Sequence, residues 1–504
     1  MASEKNEQAS ITEESASNES SPPYSVWTKR QKGLILFLAS FAATFSPLSS
    51  FIFFPAIDAL SRSLNVSVGK INLTITSYMI ISGIAPSIMG NLADRVGRRI
   101  VYLVMMSIYC AANIGLALQT NWTALFILRM VQSAGSAATI AIGYGVVSDI
   151  APPSERGAVI SGMVLGPNIA TAIGPIFGGV LANYPGWRWI FWLLALLSGT
   201  CLVLLALLLP ETARSIVGNG TIDATGFRRP IYSYLQSLKI IPSEKKVNSP
   251  ANGLAVPNEN PTPKQLRIPN PLESLKLLWA KDTALITLIF GIFYMNLSSL
   301  QASTSTLFIN LYGISDLQAG LIYLPSGIGS CIGAYGAGPV LERDYRRTAR
   351  KHNITIDVRG GDNMANFPIE KARFRSIWYV ITAASVSMIG YGWALYFKVN
   401  MVVPLVLQFI IGFSTAAIFN MCGALLVDVH PSSPSTAQAA NSIVRASLAG
   451  GGTAVVQILI DAMGVGWTFT LYGGICMACL GIAWLEWAYG KSWRDKMRER
   501  GVER

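Results

Sequence analysis

Charge is scarce in this chain: Asp, Glu, Lys and Arg make up 13% of its 504 residues, against 51% hydrophobic ones, and mean hydropathy is +0.43. A soluble enzyme is not expected, because ordinary globular domains carry about 25% charged residues. Histidine is scarcer still, with His352 and His430 alone, and six cysteines are spread over the whole length. Neither a disulfide framework nor a His/Cys metal centre has the material it needs, and no metal or cofactor is expected. The net charge of +12 suggests nucleic acid, but most of the chain has no solvated basic face, so no nucleic-acid partner is expected. Acidic residues are missing from one place in particular. Asp58, Asp149, Asp428, Asp461 and Glu486 all fall near the ends of long apolar runs, and no carboxylate falls near the middle of one.

Those long runs are what the chain has in abundance. Twelve lie near 33–57, 71–91, 100–120, 123–149, 159–182, 188–209, 283–312, 317–341, 376–397, 400–428, 436–461 and 467–490. Each approaches the roughly 20 residues that cross about 30 Å of hydrocarbon. Inside lipid every backbone N–H and C=O must be satisfied within its own segment, so runs of this length predict helices. The expected fold is an all-α polytopic membrane protein, twelve transmembrane helices in two six-helix bundles. The boundaries follow: a disordered cytoplasmic tail over 1–32, bundles over 33–210 and 283–490, a cytoplasmic central loop over 211–282 and a basic tail over 491–504.

Lys and Arg set the orientation. The tails and the loops on their side hold 33 of them; the opposite loops hold Arg62, Lys70, Arg188 and Lys398. The positive-inside rule then places both termini in the cytoplasm, with the basic residues against anionic inner-leaflet lipid. A plasma membrane address is expected, with the vacuolar membrane as the alternative. An internal echo supports the six-plus-six division: Asp149-Ile-Ala-Pro152-Pro-Ser154, then Ala158, matches Asp428-Val-His-Pro431-Ser-Ser433, then Ala437.

Between runs 2 and 3 stands Gly90-Asn-Leu-Ala-Asp94-Arg95-Val-Gly97-Arg98-Arg99. Gly90 permits close helix approach, Gly97 suits a positive φ in the reversal, and Asp94 can accept from helix N-terminal amides or an arginine. Such a cluster can latch two bundles. Gly166, Gly174 and Gly178, in step with Gly162 and Ala170, line one helix face; with Pro175 and Gly179 they form a packing stripe and a candidate hinge.

The decapeptide resembles the signature loop of the major facilitator superfamily. Arg129-Met-Val-Gln132-Ser133-Ala-Gly135 and Gly174-Pro175-Ile-Phe-Gly178-Gly179 are similar to two further motifs of that family's twelve-helix drug:proton antiporters, and Trp187-Arg188-Trp189 and Leu209-Pro210-Glu211-Thr212 agree. The resemblance extends to the fungal, quinidine-resistance-like subgroup and covers nearly all of 24–490. It implies proton-driven export of small compounds. The latch would comprise Gly90, Asp94, Arg95, Gly97 and Arg98; the proton carrier is not identified, with Asp58, Asp149 and Asp428 as candidates.

Two charges stand well inside the apolar runs, Arg129 and Arg445. Burying arginine in a membrane costs several kcal/mol, so each should face a wet cavity or a partner. Two arginines without an acid favour anions, which points to acidic or neutral substrates. Tyr78, Gln132, Asn168, Asn296, Gln301, Asn420 and Asn441 are the neutral polar residues expected to line the same cavity. Asn65-Val-Ser67 and Asn121-Trp-Thr123 are sequons in short outer loops, weak glycosylation candidates. The overall reading is a monomeric secondary transporter of a small-molecule substrate, with protons as coupling ion in a lipid bilayer. An organic-acid importer or facilitator is the alternative; a receptor or intramembrane enzyme lacks any grouped nucleophile, base or ligand set.

Overall fold

The computed structural model describes residues 23–222, 224–232, 272–314, 316–354 and 367–499. Ten helices among the described residues are long and apolar enough to cross a membrane. The last, Pro434–Lys496, contains two, because Gly464 breaks it with φ 80°. Leu324–Lys351 joins the set: its first turns are apolar and its last carry Glu342, Arg343, Arg346, Arg347 and Arg350, which keeps it out of a purely apolar count.

The twelve long helices are α1 Lys29–Phe51, α2 Val68–Val96, α3 Arg98–Leu118, α4 Trp122–Ile150, α5 Pro153–Ala182, α6 Arg188–Leu208, α7 Lys281–Tyr312, α8 Leu324–Lys351, α9 Ile377–Tyr396, α10 Val402–Val429, α11 434–463 and α12 465–499. The eighth begins seven residues later than the apolar run predicts, since a short helix, Asp316–Leu321, comes first. Residues 23–28, expected within a disordered tail, are instead placed. Thr28 caps α1 through a reciprocal bond with Gln31, and Tyr24 reaches the ends of α4 and α5. Most of the expected tail, and much of the central loop, lies outside the described residues.

Within the first half α1 packs on α5, α2 on α4, and α3 on both α4 and α6; in the second, α8 packs on α10, α9 on α12, and α7 on α11 and α12. The halves meet along α2–α11 and α5–α8. Glycine makes these approaches possible: a Cβ at Gly83 would fall 2.8 Å from Ala446 Cβ, and one at Gly90 2.8 Å from the Ser435 carbonyl. Gly166, Gly174 and Gly178 face Ser40, Phe51 and Ile52 of α1 and its end, so the stripe joins helices of one half. The irregularity of α5 falls at Val164, with ψ −2°, while Pro175 sits inside a continuous helix.

The apolar core is distributed unevenly. At the end bearing Val96, Arg98, Ile150 and Val429, called the basic end below, one core runs through both halves, from Ile35 and Tyr102 to Leu341 and Leu426. At the opposite end there are two: Leu48, Ile52 and Phe191 in the first half, Phe308, Tyr391 and Phe469 in the second. The apolar core is therefore shared by the halves at the basic end and divided at the other, where the halves still touch through Ala172 of α5 against Gly327 in the first turn of α8.

Close packing of α8 on α10 yields a direct test. The Cβ of Gly333→Ala runs into the Phe413 backbone, whereas Gly336, on the same helix, has open space. Gly333→Ala should lose about 1–3 kcal/mol, seen as a lower melting temperature in detergent; Gly336→Ala should not fall below wild type.

Candidate functional site

Two carboxylates at equivalent places hold the basic end together. Asp149, one residue from the end of α4, accepts from Arg98 Nε at 3.1 Å; Asp428, one residue from the end of α10, accepts from Arg373 Nε at 2.8 Å. Arg98 opens α3, and Arg373 closes the short helix Ile369–Arg373 that leads into α9. Each arginine then crosses to the other half. Arg98 Nη1 donates to Ser435 Oγ at 2.6 Å in the first turn of α11, and Arg373 Nη2 donates to the Pro153 carbonyl at 2.7 Å in the first turn of α5. The equivalence of Asp149 and Asp428 in the sequence echo thus extends to geometry. Gly90 against Ala439 and Gly338 against Ala158 complete the pattern.

Each half adds one crossing of its own. Asp94 accepts from Thr436 N at 3.0 Å and Thr436 Oγ1 at 2.7 Å while paired with Arg98, so a carboxylate of one half caps the N-terminus of a helix in the other. Its charge meets the positive end of that helix dipole. In return Arg156 of α5 pairs with Asp428. Arg98, Arg156, Arg373, Asp149 and Asp428 are all buried. Removing one partner from such a network costs about 3–5 kcal/mol, since it strands a buried charge.

Other motif residues serve the frame of this clamp. Gly97 turns the chain at φ 120°, and a Cβ there would strike the Glu211 carboxylate, which accepts from Arg98 N at 2.8 Å and Arg99 N at 3.3 Å. Arg99 in turn donates to the Leu205, Ala206 and Leu209 carbonyls at the end of α6. Arg95 is exposed. Tyr24 overlies the site: its hydroxyl donates to the Ser148 carbonyl at 2.9 Å and accepts from Arg156 at 3.1 Å, and the Arg214 guanidinium lies 3.6 Å from its ring centre.

The residues expected to bind substrate divide. Arg129 is enclosed: Nη1 donates to Gln132 Oε1 at 2.6 Å and to the Ser49 carbonyl at 3.3 Å, with the Phe53 and Tyr78 rings 4.3 and 4.4 Å away. Gln132 continues to Asn113 at 2.7 Å, and Tyr78 donates to the Ser46 carbonyl at 2.9 Å. The hydrogen bonds of these three all lie inside the first half, in place of the shared cavity expected of them, and the buried Arg129 Nε has no hydrogen-bond partner among the described residues. Asn420 also departs from expectation, since it bonds Ser161 across the two halves at 3.1 Å and the Ala334 carbonyl at 2.7 Å. Asn168 donates within its own helix to Val164. The Gln301 carbonyl accepts from Tyr323.

Arg445 differs. It is half-buried, 4.6 Å from the Tyr294 ring centre and within electrostatic reach of Tyr144 in the first half. No carboxylate among the described residues pairs with it. At 1.5 Å per residue Arg445 stands roughly 17 Å from the basic end of α11, and Arg129 roughly 30 Å from that of α4. The two cations therefore occupy different depths. Asn296 and Asn441 are buried, each with an amide oxygen lacking a hydrogen-bond partner.

Of the proton candidates, Asp149 and Asp428 belong to the clamp, and the Asp58 side chain lies outside the described residues. By itself the sequence marks neither Arg156 nor Arg373, and it places Glu211 in a motif without a role; symmetry with Arg98 and Asp149 is the signal that finds Arg373. Nor does it mark Glu370 beside Glu486: burial pushes the Glu370 carboxyl above the usual carboxylate range, while Arg494 Nε at 3.3 Å opposes this. Of the sequons, Asn65 is exposed at φ 53° after a short helix, and Asn121 caps α4 by accepting from Ala124 N at 2.8 Å.

Twelve helices in two halves, joined by a charged clamp at one end, define a multi-pass membrane transporter. The chain belongs to the Major Facilitator Superfamily, whose family model matches residues 39–356. Similar proteins include the MFS-type transporter phiD of a fungal species, 36% identical over 481 residues that cover 95% of this chain and 71% of the relative. Citrate exporter 1 of Aspergillus niger is 37% identical over 497 residues, covering 96% and 91%. Among solved structures, the proton:xylose symporter XylE aligns with TM-score 0.63 at 14% identity, covering 92% of this chain and 96% of that one. The human organic anion transporter MFSD10 aligns with TM-score 0.59 at 14% identity, covering 90% and 99%. Both share the fold. The protein is a transporter of small organic compounds.

The clamp makes a prediction. Ser161 lies buried beneath it, between the halves. With the native cysteines replaced, Ser161→Cys should resist a water-soluble thiol reagent applied from the basic end, and adding Asp94→Asn should speed labelling at least fivefold. Equal rates in the two backgrounds would deny Asp94 a role in closure.

Proposed function

We propose that the protein exports small organic acids in exchange for protons, as a monomer in the plasma membrane with both termini in the cytoplasm. One observation carries the substrate class: Arg445 is a mid-depth cation between the halves that is not enclosed by its own bundle, and no acid among the described residues pairs with it. Its unpaired charge in a low-dielectric setting favours a carboxylate and disfavours a cation. The citrate exporter among the relatives supports the same class.

Closure at the basic end supplies the cycle. With both termini cytoplasmic, the structure is closed to the cytoplasm, and release outside needs only the lighter contact of α5 with the start of α8 to part, since no apolar core spans the halves there. Loading requires the clamp to part, one half rocking against the other. Protonating Asp149 or Asp428 removes the charge that holds Arg98, or Arg156 and Arg373, and so favours parting. The proton leaves to the cytoplasm and the acid takes its place at Arg445. Asp58, Asp149 and Asp428 remain the candidate carriers; Gly166, Gly174, Pro175, Gly178 and Gly179 keep α5 on α1 as the first half moves. Gly90, Asp94, Arg95, Gly97 and Arg98 are the latch.

Uptake of radiolabelled organic anions and matched cations into inside-out vesicles tests this reading. An acid-inside gradient should stimulate anion uptake in wild type, and Arg445→Ala should lower it at least tenfold while Arg129→Ala lowers folding yield. Cation uptake that survives Arg445→Ala would overturn the substrate class, and uptake indifferent to the gradient would overturn the coupling.

A further inference from the structure

Around Arg445 the polar and aromatic groups form an ordered arrangement. On α11, Gln438, Asn441 and Arg445 follow at helical spacing and share one face. Gln438 is fixed by donating to the Gly423 carbonyl at 3.1 Å, and its amide oxygen accepts Asn441 Nδ2 at 3.3 Å. That bond settles which way Asn441 points: its nitrogen is engaged, and its buried oxygen is left as an unused acceptor one helical turn from the guanidinium. Beside them lies an aromatic tier. Phe290 and Phe419 stack with centres 4.2 Å apart and planes 11° from parallel, Tyr294 lies 6.0 Å from Phe419, and Arg445 covers Tyr294 at 4.6 Å. None of these residues belongs to the clamp.

Charge counting limits the ligand. One unpaired guanidinium neutralises one carboxylate. A di- or tricarboxylate would bring further negative charges into a region whose other intramembrane arginine, Arg129, is already enclosed at a different depth. The aromatic faces suit a flat, unsaturated body, which stacks on them better than a saturated ring of equal size. The unused Asn441 oxygen requires a donor, because an acceptor buried by a ligand without one costs free energy. From these three features, and resting on the organic-acid reading above, we infer that the substrate is a monoanionic aromatic acid bearing a hydroxyl. Its carboxylate sits on Arg445, its ring lies against Tyr294 and Phe419, and its hydroxyl donates to Asn441.

Binding of radiolabelled 3-hydroxybenzoate to the purified full-length protein, displaced by benzoate, cyclohexanecarboxylate and citrate at a pH where all are ionised, tests it. Benzoate should displace at a concentration about two- to tenfold lower than cyclohexanecarboxylate. The hydroxyl should add about fivefold or more over benzoate. In Asn441→Ala the ratio between benzoate and 3-hydroxybenzoate should fall to about one, and a sharp melting transition in detergent shows that the variant is folded. Phe419→Leu should erase the aromatic advantage and leave the hydroxyl's. Tighter binding of citrate than of benzoate, or a hydroxyl advantage that outlives Asn441→Ala, overturns the inference while leaving organic-acid transport intact. Binding of matched organic cations with no binding of any acid overturns the organic-acid reading itself.

Discussion

The structure depends on a pair of buried carboxylates, Asp149 and Asp428, that end equivalent helices in the two halves and are each held by an arginine reaching across to the other half. Charges buried at this depth are costly alone and tolerable only as a complete set. The clamp therefore has two conditions, fully made or broken, with little between. An interface of that kind suits a gate: it is rigid while closed, and a single proton or a rotation of one half disrupts several bonds together. One helix end reinforces it, since Asp94 meets the positive first turn of α11, and Arg373 adds a hydrogen bond to the Pro153 carbonyl of the other half.

Much of the fold was legible in the sequence. Length and apolarity of the runs located the helices, because lipid leaves a spanning segment no other way to satisfy its backbone. Where the reading slipped, local physics intervened. Residues 23–28 were assigned to a disordered tail by composition, yet Tyr24 and Thr28 find partners that composition does not reveal. The eighth helix carries a charged second half that extends past the apolar run. The loop motif was read in chemical terms that the geometry matches, down to Asp94 accepting from helix amides and Arg98, and Gly97 at positive φ.

The candidate site was less legible, for a definite reason. A sequence shows that an arginine lies within a span but not how deep it lies or which neighbours enclose it. Arg129 and Arg445 looked equivalent. In space Arg129 is boxed by Phe53, Tyr78 and Gln132, whereas Arg445 leans on one ring between the halves. Asn420 likewise looked like a cavity residue and ties the two halves together. Arg156 and Arg373 were hidden by their company, counted among basic loop residues when their partner Asp428 lay far off in sequence.

The charged clamp governs which end of the molecule is open. Spin labels placed at Glu155 and Ser432, exposed across the halves at the basic end, and at Lys70 and Lys398, exposed at the opposite end, report both openings by pulsed electron resonance. In reconstituted wild type the basic-end pair should show a short, narrow distance distribution. Asp428→Asn should lengthen it and shorten the opposite pair in the same sample. A basic-end distribution unmoved by Asp428→Asn, or both pairs lengthening together, would contradict a reciprocal gate closed by these charges.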